Sequence, residues 1–153
     1  MRLSVFLDTG PLGLITNPNR PAISVACLNW AVDMMTAGHR LFVPAIADYE
    51  VRRELIRAGK SKSISALDGW NYAYPGRYIP LTDSALRLGA TLWAQVRNSG
   101  NTTADPKELD ADVLIAAQAL DMGLASSEFV IATVNVGHLS RFALADLWTN
   151  IHP

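Results

Sequence analysis

The sequence predicts an α/β fold: three layers, with a short, mainly parallel central sheet flanked by helices. Two observations carry that prediction. Short apolar runs at 3–7, 41–43 and 129–134, each closed by Gly, Pro or Asn, alternate with longer stretches whose apolar residues recur at helical spacing. Half of the 153 residues are apolar, enough for one domain over residues 1–153 to bury a full core without disulfides.

The first strand, 3–7, runs into Asp8, Thr9, Gly10 and Pro11. In an open parallel sheet that is where ligands bind, just past the carboxyl ends of the strands. By itself Asp8 reads as a turn cap before it reads as chemistry. The breaker-rich segment TNPNRP, 16–21, is a loop. Ile23, Ala26, Cys27, Trp30 and Met34 then form the inward stripe of a helix stopped by Gly38, with His39 and Arg40 as solvent-facing turn residues.

The strand at 41–43 ends at Pro44, which also suits the first position of a helix reaching Gly59. That helix carries an apolar stripe of Ala47, Val51, Leu55 and Ala58, and a charged face of Glu50, Arg53, Glu54 and Arg57. The charged face is either a solvated surface or, at Glu50, a second acid near a strand end. Arg52, Arg53, Arg57, Lys60 and Lys62 are the one basic concentration in a chain of net charge -1, so any polyanion must be held locally.

Further helices are expected at 64–74, with Leu67, Trp70 and Tyr74 inward, and after a Thr82 or Asp83 cap, with Leu86, Gly89, Ala90, Trp93 and Val96 inward. A brief edge strand separates them at 78–81. Asp105, Pro106 and Glu108 resemble a capping box ahead of a buried helix, LDADVLIAAQAL at 109–120. Acids entering such a helix are costly unless paired or bound to a cation. At about 100° per residue Asp110 and Asp112 point roughly 160° apart, and Asp112 shares the face of Ile115, Ala116 and Ala119. The strand at 129–134 ends at Asn135 and Gly137, a helical turn follows at 138–141, and 148–151 completes the sheet as an edge strand.

Several classes lack their signatures. No GxGxxG, GxxxxGK[ST] or GxSxG occurs, and one Cys with three scattered His residues gives no zinc spacing. No apolar stretch approaches the ~18 residues of a membrane span, and Asp8 interrupts what a signal peptide would need. Cys27 reads as a buried thiol, which favours a reducing, cytoplasmic setting.

What remains is a convergence of Asp8, Glu50, Asp112 and Asn135 at strand ends or at the head of a buried helix. Clustered carboxylates repel unless a cation neutralises them, and oxygen ligands suit Mg2+ or Mn2+. Such a site activates water against a phosphodiester.

In FLDTGPL (6–12), PAIADYEVRREL (44–55), LDADVLIAAQAL (109–120) and IATVNVGHLSRF (131–142) the chain resembles PIN-domain proteins of the kind found as toxins in bacterial VapBC-type toxin–antitoxin pairs. The resemblance implies a metal-dependent endoribonuclease with a PIN-like fold. Its metal-binding acids would be Asp8, Glu50 and Asp112, and Asn135 would stand at a fourth position that is often Asp. Thr9 and Thr133 match small hydroxyl positions that orient a carboxylate or water, Arg52, Arg53 and Lys60 would seat the RNA backbone, and Glu54 is the runner-up to Glu50. It further implies an RNA substrate, a cognate antitoxin and a homodimer; His138 is assigned to packing the turn after Asn135.

Overall fold

The computed structural model describes residues 1–100 and 106–153. Its elements in chain order are β1 (Ser4–Leu7), α1 (Thr9–Ile15), α2 (Ala22–Thr36), β2 (Arg40–Pro44), α3 (Ala45–Arg57), α4 (Ser61–Tyr72), β3 (Tyr78–Ile79), α5 (Asp83–Asn98), α6 (Pro106–Leu120), β4 (Phe129–Thr133) and β5 (Ala145–Leu147). The strands lie in the order β3-β2-β1-β4-β5, and every pairing is parallel. This is the expected three-layer α/β arrangement, with helices flanking the sheet. Because the chain winds outward from β1 to β3 and then returns beside β1 as β4, the winding reverses between β1 and β4. A crevice opens at such a switch point, at the carboxyl ends of the strands.

β1 and β4 are buried along their whole lengths, as strands covered on both faces must be. Phe6 stacks on Phe42 at 5.3 Å and meets Phe129 edge-on at 5.9 Å, so three adjacent strands share one aromatic cluster. Leu12, Met34, Leu67, Ile115 and Leu139 fill the space between sheet and helices with no exposed surface to speak of.

Some local expectations give way. The segment TGPLGLI, rich in helix breakers, folds as α1; Pro11 is its third residue, where the backbone N–H would have no acceptor in any case. Pro44 is the last residue of β2 and the cap of α3, not its first helical residue. His39 does not face solvent: it is half-buried, and its Nδ1 accepts the Leu3 N–H at 3.0 Å ahead of the β1–β2 ladder. α4 stops at Tyr72, so Tyr74 is exposed and Asn71 takes the inward place one turn after Leu67. In α5 the inward face is set by Ala85 and Gly89, with Leu86 exposed. Gly89 is where α6 comes closest: a Cβ there would lie 3.0 Å from Leu114. The edge strand comes at Ala145–Leu147, before the expected 148–151. Trp148–Asn150 form a 3-10 turn instead, because Trp148 packs on Trp30 and the Trp30 Nε1–H bonds the Ile151 carbonyl at 2.7 Å. Thr82 caps α5 as expected, accepting the Ala85 N–H. Asp105, and with it the expected capping box, lies outside the described residues.

Candidate active site

Asp8 is delivered by β1 to the switch point. It occupies the cap position of α1 with an extended backbone, yet its side chain makes no capping bond. The carboxylate turns to β4 instead, where the fully buried Thr133 donates its hydroxyl to Asp8 Oδ2 at 2.7 Å. Thr133 Oγ1 also accepts the Asn135 N–H at 3.1 Å, so one side chain positions the acid and shapes the loop that carries Asn135. Burial pushes the Asp8 carboxyl above its ordinary value of 3.8, and the Thr133 hydroxyl and Thr9 backbone pull it only partway back.

Glu50 arrives from the second turn of α3. Its Oε1 accepts the Thr9 hydroxyl at 2.7 Å, and Arg53 Nη2 stands 3.6 Å from its Oε2. Asp112 comes from α6 and is half-buried. Asp8, Glu50, Arg53, Asp112, Thr133, Asn135 and His138 line one cleft of about 620 Å³. Four separate elements thus bring to one place the three acids and the amide predicted there, with both threonine hydroxyls directed onto carboxylates.

Other candidates sit elsewhere. Arg52 points away from the cleft: its Nε and Nη2 grip the buried Asp48 at 2.9 Å each, and Nη2 also reaches Asp68 at 2.6 Å. These two acids hold its pKa above the ordinary arginine value. Lys60 lines a separate crevice with Gly13, Val51 and Leu55. Glu54 is exposed and paired with Arg57 at 2.8 Å. Asp110 is exposed on a groove between α5 and α6 with Gly89 and Trp93, so of the two acids heading α6 only Asp112 faces the cleft.

His138, half-buried, also lines the cleft three residues beyond Asn135. Gly10 is a further contributor, and no side chain announces it. A Cβ at Gly10 would lie 2.6 Å from Val134 Cγ2, so α1 approaches the end of β4 this closely only because residue 10 is glycine.

Carboxylates, hydroxyls and an amide are hard oxygen donors, chemically suited to Mg2+ or Mn2+. Among the described residues, however, no group of three His, Cys, Asp or Glu side chains is arranged to hold a metal ion.

No protein-family model matches the chain, and no curated protein matches it. Solved structures do. A chain of VapBC2 from Rickettsia felis, bound to a DNA fragment from their promoter, superposes with a TM-score of 0.68 at 16% identity, covering 95% of this chain and 99% of that one. A chain of FitAcB from Neisseria gonorrhoeae gives 0.67 at 20% identity, over 96% and 99%. One of VapBC-1 from nontypeable Haemophilus influenzae gives 0.63 at 18% identity, over 97% and 100%. At these identities the likeness is one of fold, and it extends over the full length of each partner. No helix among the described residues is long and apolar enough to cross a membrane.

Proposed function

We propose that this chain is a divalent-metal-dependent endoribonuclease, the toxin of a toxin–antitoxin pair, working as a homodimer in the cytoplasm. The observation that carries the reading is the meeting of Asp8, Glu50 and Asp112, from β1, α3 and α6, in one cleft at the switch point of a parallel sheet. Burial disfavours the ionised form of Asp8, a cost that a bound cation would offset. The full-length likeness in fold to chains of VapBC and FitAB complexes supports the toxin–antitoxin part.

Asp8, Glu50 and Asp112 would hold Mg2+ or Mn2+, which supplies charge neutralisation and water activation for phosphodiester hydrolysis. Thr133 fixes one oxygen of Asp8 and Thr9 one oxygen of Glu50, so both carboxylates are held in place at the cleft. Asn135 can bind water or a cation weakly but adds no charge. Arg53 lines the cleft and would neutralise a phosphate, and unpaired RNA would give access to a backbone that a duplex buries. An antitoxin would inhibit by covering this acidic cleft.

Asn135, which adds no charge, and the lack among the described residues of three acidic, His or Cys side chains grouped to hold a metal favour one alternative, a domain that binds RNA or an antitoxin without cutting. Titration calorimetry with Mn2+, followed by digestion of single-stranded RNA by wild type and Asp8→Asn, separates the two. Saturable binding with cleavage lost in the variant supports the nuclease. Absence of binding at millimolar Mn2+, or equal cleavage by both proteins, refutes it.

A further inference from the structure

Arg77 is the buried cation that the cleft does not use. It follows the turn after α4, and its backbone carbonyl accepts the Val43 N–H at 2.7 Å, which anchors it beside β2. Its side chain folds back into the protein and leaves the residue only 4% exposed. The guanidinium lies 3.9 Å from the Trp70 ring centroid and 4.5 Å from that of Tyr74. Nη1 donates to the Trp70 carbonyl and Nη2 to Met35 Sδ, each at 2.9 Å, while Nε has no partner. Among the described residues no carboxylate pairs with it. A guanidinium carries five donors, and a thioether is a weak acceptor. The ring faces stabilise the charge without replacing a counter-ion.

The same residue lines a cavity of about 540 Å³ between α1, α2 and α4, within the range of small-molecule sites. Two more buried polar atoms on that cavity's residues lack partners, Ser24 Oγ and Trp70 Nε1. Leu14, Val25 and Leu28 make its wall apolar, Arg20 adds a second cation, and no Asp or Glu lines it. Water could satisfy the hydroxyl and the indole, but it would leave the guanidinium uncompensated. All three orphaned groups can donate, so the missing component is an anionic acceptor that tolerates an apolar surround.

We propose that this cavity binds a small carboxylic acid on an apolar stem, the carboxylate resting on Arg77 with Ser24 and Trp70 as further donors. The depressed pKa that burial gives Arg77 agrees with a cation awaiting its counter-charge. The site lies apart from the Asp8 cleft and depends on none of its chemistry.

The test compares each acid with its own amide, so that apolar burial cancels. Octanoate and 4-phenylbutyrate are titrated against the intact chain by calorimetry and thermal shift, beside octanamide and 4-phenylbutyramide. At least one acid is expected to bind saturably, about tenfold or more tighter than its amide. Arg77→Met should abolish that preference. Ser24→Ala should weaken the acid several-fold while leaving the ligand-free protein at least as stable, because it removes a buried unsatisfied hydroxyl. Equal binding of acid and amide, no binding of either acid at about 10 mM, or an undiminished preference in Arg77→Met would each overturn the proposal. The comparison on the unmodified chain and on Ser24→Ala decides it even if Arg77→Met fails to fold.

Discussion

Thr133 donates its hydroxyl to Asp8 Oδ2 at 2.7 Å, directly across the two strands between which the sheet reverses its winding. The bond joins the end of β4 to the end of β1 and holds the Asp8 carboxylate at the cleft. Replacing Thr133 with Val keeps the shape and deletes the donor. Metal affinity and RNA cleavage are expected to fall about 10- to 100-fold, the usual cost of losing a group that orients a ligand, with far-UV circular dichroism unchanged. Undiminished Mn2+ affinity in Thr133→Val would show that the bond serves only the loop at Asn135.

Asp8 itself should trade stability for function. Its carboxyl pKa is raised by burial, so the folded protein holds the proton to higher pH than the unfolded chain does. The stability this group contributes is complete below its ordinary value of 3.8 and is lost as pH rises through the raised pKa. At pH 7 in chelator the charge is a net cost, and Asp8→Asn should melt at the same temperature as wild type or higher. The same variant should lose about two orders of magnitude or more of cleavage. A clear drop in melting temperature would mean that the charge is compensated by groups other than Thr133.

Arg52 and Arg53 are neighbours with opposite roles. Arg52 satisfies Asp48, which is 6% exposed and also bonded by Asn71 at 2.7 Å, so Arg52→Ala strands a buried carboxylate. A loss of about 3 kcal/mol in urea unfolding is expected, the lower part of the range for broken buried pairs because Arg52 is itself partly exposed. Arg53→Ala should leave stability within about 0.5 kcal/mol and weaken RNA binding. If the two phenotypes come out exchanged, the assignment of the basic cluster is wrong.

The cluster illustrates what the sequence could and could not convey. Strand ends and helix stripes come from local periodicity, so β1, β4 and the arrival of Asp8, Glu50 and Asp112 at one sheet edge were legible. Local pattern even chose Asp112 over Asp110, because an α-helix separates them by most of a half-turn. It put Arg53 on the Glu50 face but could not show what holds Arg52, since Asp68 and Asn71, residues of α4, come to Arg52 and Asp48 only in the tertiary fold. α1 was hidden for a related reason. Two glycines and a proline disfavour a helix in isolation, and packing against α2, α3 and β4 overrides them.

Cys27 should be chemically silent. Its thiol is fully buried and pushed up to about 12, so almost no thiolate exists near pH 8. Iodoacetamide at pH 8 is expected to leave the native chain unmodified over hours and to alkylate it once in 6 M guanidinium (about the concentration that unfolds most domains), as followed by intact mass. Rapid native labelling would show that α2 opens away from α1, where Cys27 faces the Pro11 carbonyl at 3.9 Å.

Gly10 couples the backbone to the site without presenting a side chain. A Cβ there meets Val134 at 2.6 Å (Cγ2), 2.8 Å (Cγ1) and 3.2 Å (Cβ). Val134 is 51% exposed and can swing its methyls outward, but its Cβ is fixed by the backbone between Thr133 and Asn135. Gly10→Ala should therefore displace the end of β4, at an overpacking cost of about 1–3 kcal/mol offset by up to about 1 kcal/mol of helix propensity. The displaced segment carries Thr133 and Asn135, so Mn2+ affinity and cleavage should fall more than stability does. Val134→Ala removes the two closest contacts and is expected to restore most of both in the Gly10→Ala background, while changing little alone. A double-mutant cycle on unfolding and on Mn2+ binding measures this coupling. Strict additivity in both would mean that the close approach of α1 to β4 has no bearing on the cleft.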